Sequence, residues 1–151
     1  MKERITPENI TKLEKNEIFV FGSNESGIHG GGAARQAHMQ FGARWANGFG
    51  MTSNKTFAIP TKDWNIQTLS EKEIAFYVRR FIDFAKNHPE MKFLVTEIAC
   101  GLAGYEPRQI APMFLEAVEL QNVYLPQRFW EELLNIVTGK QIGRASCRER
   151  V

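Results

Sequence analysis

Two hydrophobic patterns alternate along the chain. Glu17 to Gly22 (EIFVFG) is a short apolar run closed by glycine, which is how a strand buried on both faces reads. Thr56 to Pro60 (TFAIP), Lys92 to Ala99 (KFLVTEIA) and Val123 to Leu125 predict three more strands. Between them the spacing changes. From Glu71 to His88 the residues Ile74, Tyr77, Val78, Phe81, Ile82 and Ala85 recur at three- and four-residue steps, which places them on one stripe of a helix. Ser70 and Glu73 read as its capping box, and Asn87-His88-Pro89 as its stop. A helix from about Pro107 to Gln121 follows from Ile110, Met113, Phe114, Ala117 and Val118, with Pro107 suited to the first turn. Phe129, Trp130, Leu133, Leu134 and Val137 mark a last amphipathic helix.

The first strand runs into SNESGIHGGGAARQAHMQFG, where three glycines precede a small-residue stretch rich in helix formers. Strand, glycine loop, helix is an arrangement that binds phosphate: glycines let the backbone approach an anion, and the helix N-terminus offers unpaired N–H groups. A second glycine loop, CGLAGYEP, follows the third strand, and Lys62 stands just past the end of the second. Strands alternating with helices predict an α/β fold with a mixed, largely parallel sheet flanked by helices in three layers. Ligands of such folds bind at the C-terminal ends of the strands. Gly22 to Gly32, Thr61 to Asn65 and Cys100 to Glu106 all fall at such ends.

With 151 residues, 43% of them hydrophobic, the chain encloses one core, expected over residues 1–138. Lys and Arg (19) nearly balance Asp and Glu (17), so local sites rather than a global field must supply any affinity for phosphates. Cys100 and Cys147 are too few for a disulfide framework or zinc cluster, and neither a signal peptide nor a membrane span is legible. A cytoplasmic setting is expected, with no cofactor and no metal. Residues 139–151, ending GRASCRERV, break with the preceding pattern and read as a disordered tail. Arg144 to Val151 also resembles a translated cloning or adaptor sequence.

The segment FGSNESGIHGGGAARQA resembles the first ligand loop of macrodomains, with Asn24 and Gly30, Gly31 and Gly32 in the places of its asparagine and glycines. IACGLAGYEPRQIAPMF resembles their second loop, which cradles a pyrophosphate, and Gly101, Gly104 and Tyr105 match its glycines and its aromatic. IPTKDW is similar to a strand-end lysine motif of the branch that includes the DNA ADP-ribosyl glycohydrolase antitoxins and the lysine-dependent protein glycohydrolases. The resemblance covers roughly residues 17 to 120, and the whole chain also resembles a family of phage-encoded non-structural proteins, which implies a bacterial or phage-infected host cell. It implies ADP-ribose, or an ADP-ribosylated substrate such as ADP-ribosylated DNA, as partner. The ligand-binding residues it implies are Gly22, Ser23, Gly30, Gly31, Gly32 and Ala33 in the first loop, and Cys100, Gly101, Leu102, Ala103, Gly104 and Tyr105 in the second. Lys62 and Asn24 are its candidates for catalysis. The implied activity is hydrolysis of an ADP-ribosyl group from nucleic acid or protein; the alternative is a non-catalytic reader or sponge for ADP-ribose or an NAD-derived signal.

Each candidate also has a plainer reading. Lys62 is a nucleophile toward the anomeric carbon, or it pairs with Asp63 or Glu97, or it lends charge to a pyrophosphate. The lysine-dependent protein enzymes carry an acid in the second loop, whereas CGLAGY has none before Glu106. Asn24 holds ribose hydroxyls or forms an Asx-turn. His29 contacts phosphate or is structural, and His38 is structural. Trp64 and Tyr105 stack on a ligand or join the core. Cys100 is a small buried residue rather than a thiolate. Glu97 needs a cation that the sequence does not identify. GIHGGGAA does not fit the GxGxxG spacing of a dinucleotide fold.

Overall fold

The computed structural model describes residues 4–138. Its elements run β1 (Glu17–Asn24), α1 (Gly32–Phe41), β2 (Gly50–Ser53), β3 (Thr56–Lys62), α2 (Glu71–Lys86), β4 (Lys92–Val95), α3 (Pro107–Ile110), a 3₁₀ segment (Ala111–Glu119), β5 (Val123–Tyr124) and α4 (Gln127–Val137). The tail expected over residues 139–151, with Cys147, lies outside the described residues.

The strands form one five-stranded sheet in the order β2-β3-β1-β4-β5. β1 pairs in parallel with both β3 and β4, β4 with β5, and only β2 runs antiparallel to its neighbour. The α/β fold with a mixed, largely parallel sheet is therefore present. Alternation along β1 explains the layering, because successive side chains of a strand point to opposite faces. Ile18 and Val20 join a large apolar cluster with α2, the 3₁₀ segment and α4, while Phe19 and Phe21 pack under Ala34, Ala37 and Phe41 of α1. Both faces are covered, which is why EIFVFG is apolar throughout.

Local chemistry sets the element ends. Ser70 accepts from the Glu73 backbone N–H (3.2 Å) and the Glu73 carboxylate accepts from the Ser70 N–H (2.9 Å), a complete capping box that starts α2. The helix expected from Pro107 to Gln121 is split in two. Pro112 lacks the N–H that an α-helix would donate to Arg108, and its ring crowds that carbonyl, so the chain tightens into 3₁₀ geometry from Ala111. The third strand ends at Val95 rather than Ala99, and Thr96 to Ala99 turn out of the sheet toward the second glycine loop. β2 has no counterpart among the sequence expectations: four residues with glycine at their start carry too little pattern.

Arg4 closes the C-terminal end of the 3₁₀ segment. Its guanidinium donates to the carbonyls of Ala117, Val118, Leu120 and Val123 and lies over the Trp130 ring at 5.2 Å, and Trp130 Nε1 donates back to the Arg4 carbonyl (2.8 Å). Among the described residues no helix is long and apolar enough to cross a membrane.

Candidate functional site

The C-terminal ends of β1, β3 and β4 open on one rim of the sheet. A cleft of about 530 Å³ lies there, walled by the first glycine loop with the start of α1, by Thr61, Lys62 and Ile66, and by the second glycine loop. Gly31 shares this cleft with Gly101, Leu102 and Ala103. The two loops nearly touch: a β-carbon on Gly31 would stand 3.2 Å from Leu102 Cδ1.

Of the residues singled out from the sequence, the cleft gathers Gly22, Ser23, Asn24, Gly30, Gly31, Gly32, Ala33, Lys62, Glu97, Gly101, Leu102 and Ala103. It leaves out Cys100, Gly104 and Tyr105. The Tyr105 hydroxyl turns inward to donate to the Leu69 carbonyl (2.6 Å) and its ring packs on the core, so it offers no stacking surface to the cleft. Burial, reinforced by Glu97, pushes the Cys100 thiol up to about 11, so it is protonated at neutral pH. Trp64 is 69% exposed and stands outside the lining residues.

Lys62 is the last residue of β3, not a residue beyond it, and its register partner on β1 is Asn24, just after a register shift between Ser23 and Asn24. The two catalytic candidates thus stand side by side on adjacent strands. Among the described residues Lys62 is the one cationic side chain lining the cleft, and no carboxylate pairs with it. Asp63 Oδ1 instead accepts the N–H groups of Asn65 (2.8 Å) and Gln67 (3.0 Å), which pins the turn after β3. Glu97 is held bidentately by Arg128, at 2.9 Å and 2.6 Å, and this pairing keeps its carboxyl below the usual range. The cation that the sequence left open is Arg128.

Asn24 folds its own loop. Its Oδ1 accepts from Ser26 Oγ (2.7 Å) and the Ile28 N–H (2.9 Å), and its Nδ2 donates to the Ile28 carbonyl (2.7 Å). The loop is also held from outside. Tyr77 on α2 donates to Glu25 (2.6 Å), and burial together with that carboxylate pushes its hydroxyl up to about 12. The α1 N-terminus beyond it is open: Gly31 gives no side-chain cap, and the N–H groups of Gly32, Ala33 and Ala34 have no acceptor among the described residues.

His29 is 1% exposed, with Nδ1 2.8 Å from Ser23 Oγ and Nε2 2.8 Å from the Arg44 carbonyl. A carbonyl only accepts, so Nε2 carries the proton, and Nδ1 accepts from the Ser23 hydroxyl. Its role is to tie β1 to the loop around Arg44, not to touch phosphate. His38 likewise holds the Ala43 carbonyl (2.8 Å). Burial, aided by nearby His38 and opposed by the Arg44 carbonyl, lowers the His29 pKa. A folded-state pKa below the unfolded one gives stability that is present above the ordinary imidazole range and lost as pH falls through it. The Tm is therefore expected to fall between about pH 7 and about pH 5, and to fall less in His29→Gln, whose amide keeps a donor and an acceptor without titrating. Parallel pH profiles of the two proteins would contradict this.

A second cleft of about 550 Å³ adjoins the first, sharing Ala33, Thr96 and Glu97 with it. Its floor includes Ile5, Ile10, Phe19 and Val95; Thr6 also lines it, but its Oγ1, the only buried side-chain polar atom without a partner among the described residues, is shielded from the cleft. Among the described residues no three His, Cys, Asp or Glu side chains group as a metal site requires. Thr61 and Ile28, inside segments already marked at strand ends, and Thr96 and Ile66 also line the rim clefts, and none of the four carries a residue-type signal of its own. Comparison with family models, curated proteins and solved structures finds no match.

Proposed function

We propose that the protein binds ADP-ribose, or an ADP-ribosyl group carried on nucleic acid or protein, in the rim cleft and hydrolyses it from the macromolecule. The observation that carries this reading is the convergence of three unpaired N–H groups at the start of α1, the second glycine loop and one lysine on a single cleft. Backbone donors at a helix N-terminus suit a diphosphate, and an adjacent cation suits the charge that develops when a glycosidic bond breaks. The adjoining cleft, with an apolar floor, gives a two-ended ligand room beyond the diphosphate.

In this scheme the neutral Lys62 amine adds to C1 of an N-linked ADP-ribosyl group in its ring-opened, protonated imine form, in which the ring oxygen has become a hydroxyl. As lysine forms its own C1=N bond, the C1–N bond to the macromolecule breaks and the proton shed by the lysine nitrogen passes to the leaving nitrogen. Water then cleaves the resulting imine, releasing ADP-ribose and restoring the amine. Titration calorimetry with ADP-ribose is expected to give micromolar affinity or better, about −8 kcal/mol, and incubation with ADP-ribosylated DNA or protein is expected to release ADP-ribose. No heat of binding would overturn the proposal.

One observation favours a non-catalytic reader or sponge. Glu97 is bound to Arg128 and the Asn24 amide serves its own loop, so Lys62 has no acid or base partner among the described residues. That reading predicts the same binding, with the modified substrates left intact.

A further inference from the structure

The turn after β3 uses a left-handed residue at position 66 but does not require that residue to be isoleucine. Ile66 has φ +63°, a left-handed conformation that is costly for a β-branched residue, and it is 41% exposed. None of the bonds that hold the turn involves the Ile66 side chain: the Asp63 carboxylate accepts two N–H groups, Asp63 N–H donates to the Gln67 carbonyl (2.8 Å), and Ile66 N–H donates to the Asp63 carbonyl (3.0 Å). Asparagine, which tolerates this backbone well, sits one place earlier at position 65. The isoleucine side chain is thus placed at a strained position and left half in water. It lines the cleft that Lys62 also lines, and Ile28 (44% exposed) and Leu102 (76% exposed) add two more exposed aliphatic side chains to the same cleft.

An aliphatic mouth gains nothing from a hydrated diphosphate, whereas the C–H face of a sugar gains from being covered. We propose that Ile66 is a specificity-determining residue, a lip that packs on the ribose held next to Lys62 and so separates ADP-ribose from nucleotides that end at the diphosphate. This rests on the function proposed above. Strain kept at a site by a turn that over-determines it is a pattern of ligand clamps, and it gives Ile66 an unusual signature: substitutions that relax the backbone weaken selectivity without weakening the fold.

The test is calorimetric titration of wild type, Ile66→Gly and Ile66→Asn with ADP-ribose and with ADP, alongside thermal melting. Leu115→Asn, which removes an equally exposed (41%) aliphatic side chain from the 3₁₀ segment, outside the cleft, is the control. In both Ile66 variants the preference for ADP-ribose over ADP is expected to fall about fivefold or more, ADP affinity to stay within about twofold, and the Tm of Ile66→Asn to equal or exceed that of wild type. The control is expected to keep the preference. An unchanged preference, equal weakening toward both nucleotides, or a lower Tm in Ile66→Asn overturns the inference while leaving the cleft as the ADP-ribose site. Failure of the wild-type protein to bind ADP-ribose overturns the proposed function, and the inference with it.

Discussion

Lys62→Ala is expected to lower the release of ADP-ribose from modified DNA or protein by about 10²-fold or more, while ADP-ribose still binds within about tenfold of wild type. The asymmetry follows from the position of the amine. The N–H groups of α1 and the second glycine loop hold the diphosphate in this scheme, so losing one cation removes a fraction of the binding. The reaction loses its only cationic group among the residues lining the cleft. Lys62→Arg separates two roles, since a guanidinium keeps the charge but does not form an imine. Recovery of activity in the arginine variant identifies electrostatic catalysis; continued loss, together with reductive trapping of wild type on the substrate, identifies the nucleophile. Turnover that is the same in Lys62→Ala and wild type rules out both.

Gly48→Ala is expected to cost about 3 kcal/mol or more and to lower the Tm by about 8 °C or more. A β-carbon there would lie 2.1 Å from the Asn24 carbonyl oxygen and 2.9 Å from that of Glu25, both backbone atoms that cannot swing aside. Gly27, with φ +75°, is equally pressed, its β-carbon falling 2.2 Å from Asn47 N, and Ala46 N–H donates to the Gly27 carbonyl (2.9 Å). Segments 24–27 and 46–48 thus lie backbone on backbone, and the first glycine loop is shaped by a stretch some twenty residues away. Ligand binding is expected to go with the fold in Gly48→Ala. Gly30→Ala is the contrast: its β-carbon would meet only Ile28 Cγ2, at 3.9 Å, and the Tm is expected to stay within about 2 °C of wild type. A wild-type Tm for Gly48→Ala would show that the two segments separate easily.

The elements with strong local signals were legible. EIFVFG, TFAIP and KFLV are strands because uninterrupted apolar runs bury both faces, and α2 starts at Ser70 because a capping box needs only two residues three apart. The glycine loops were legible for the same reason, since backbone freedom is written in the residue type. Where the reading went astray, a local signal met a competing one. Pro112 broke a helix whose apolar spacing continued past it, and an apolar run that continued to Ala99 did not keep the third strand in the sheet beyond Val95.

Sequence alone determined four of the five strands and the main helices, that their alternation builds a largely parallel sheet, and that glycines and a lysine lie at strand ends. Those properties depend on neighbours within a few residues. Tertiary structure decided that Asn24 and Lys62 are register partners, that Glu97 belongs to Arg128 thirty-one residues away, that His29 is a buried tie, and that Leu102 reaches Gly31 across the cleft. Each of these depends on how β1, β3 and β4 lie beside one another. Strand pairing is set by the summed burial of two sheet faces and not by the pairs themselves, so no residue in them announces its partner.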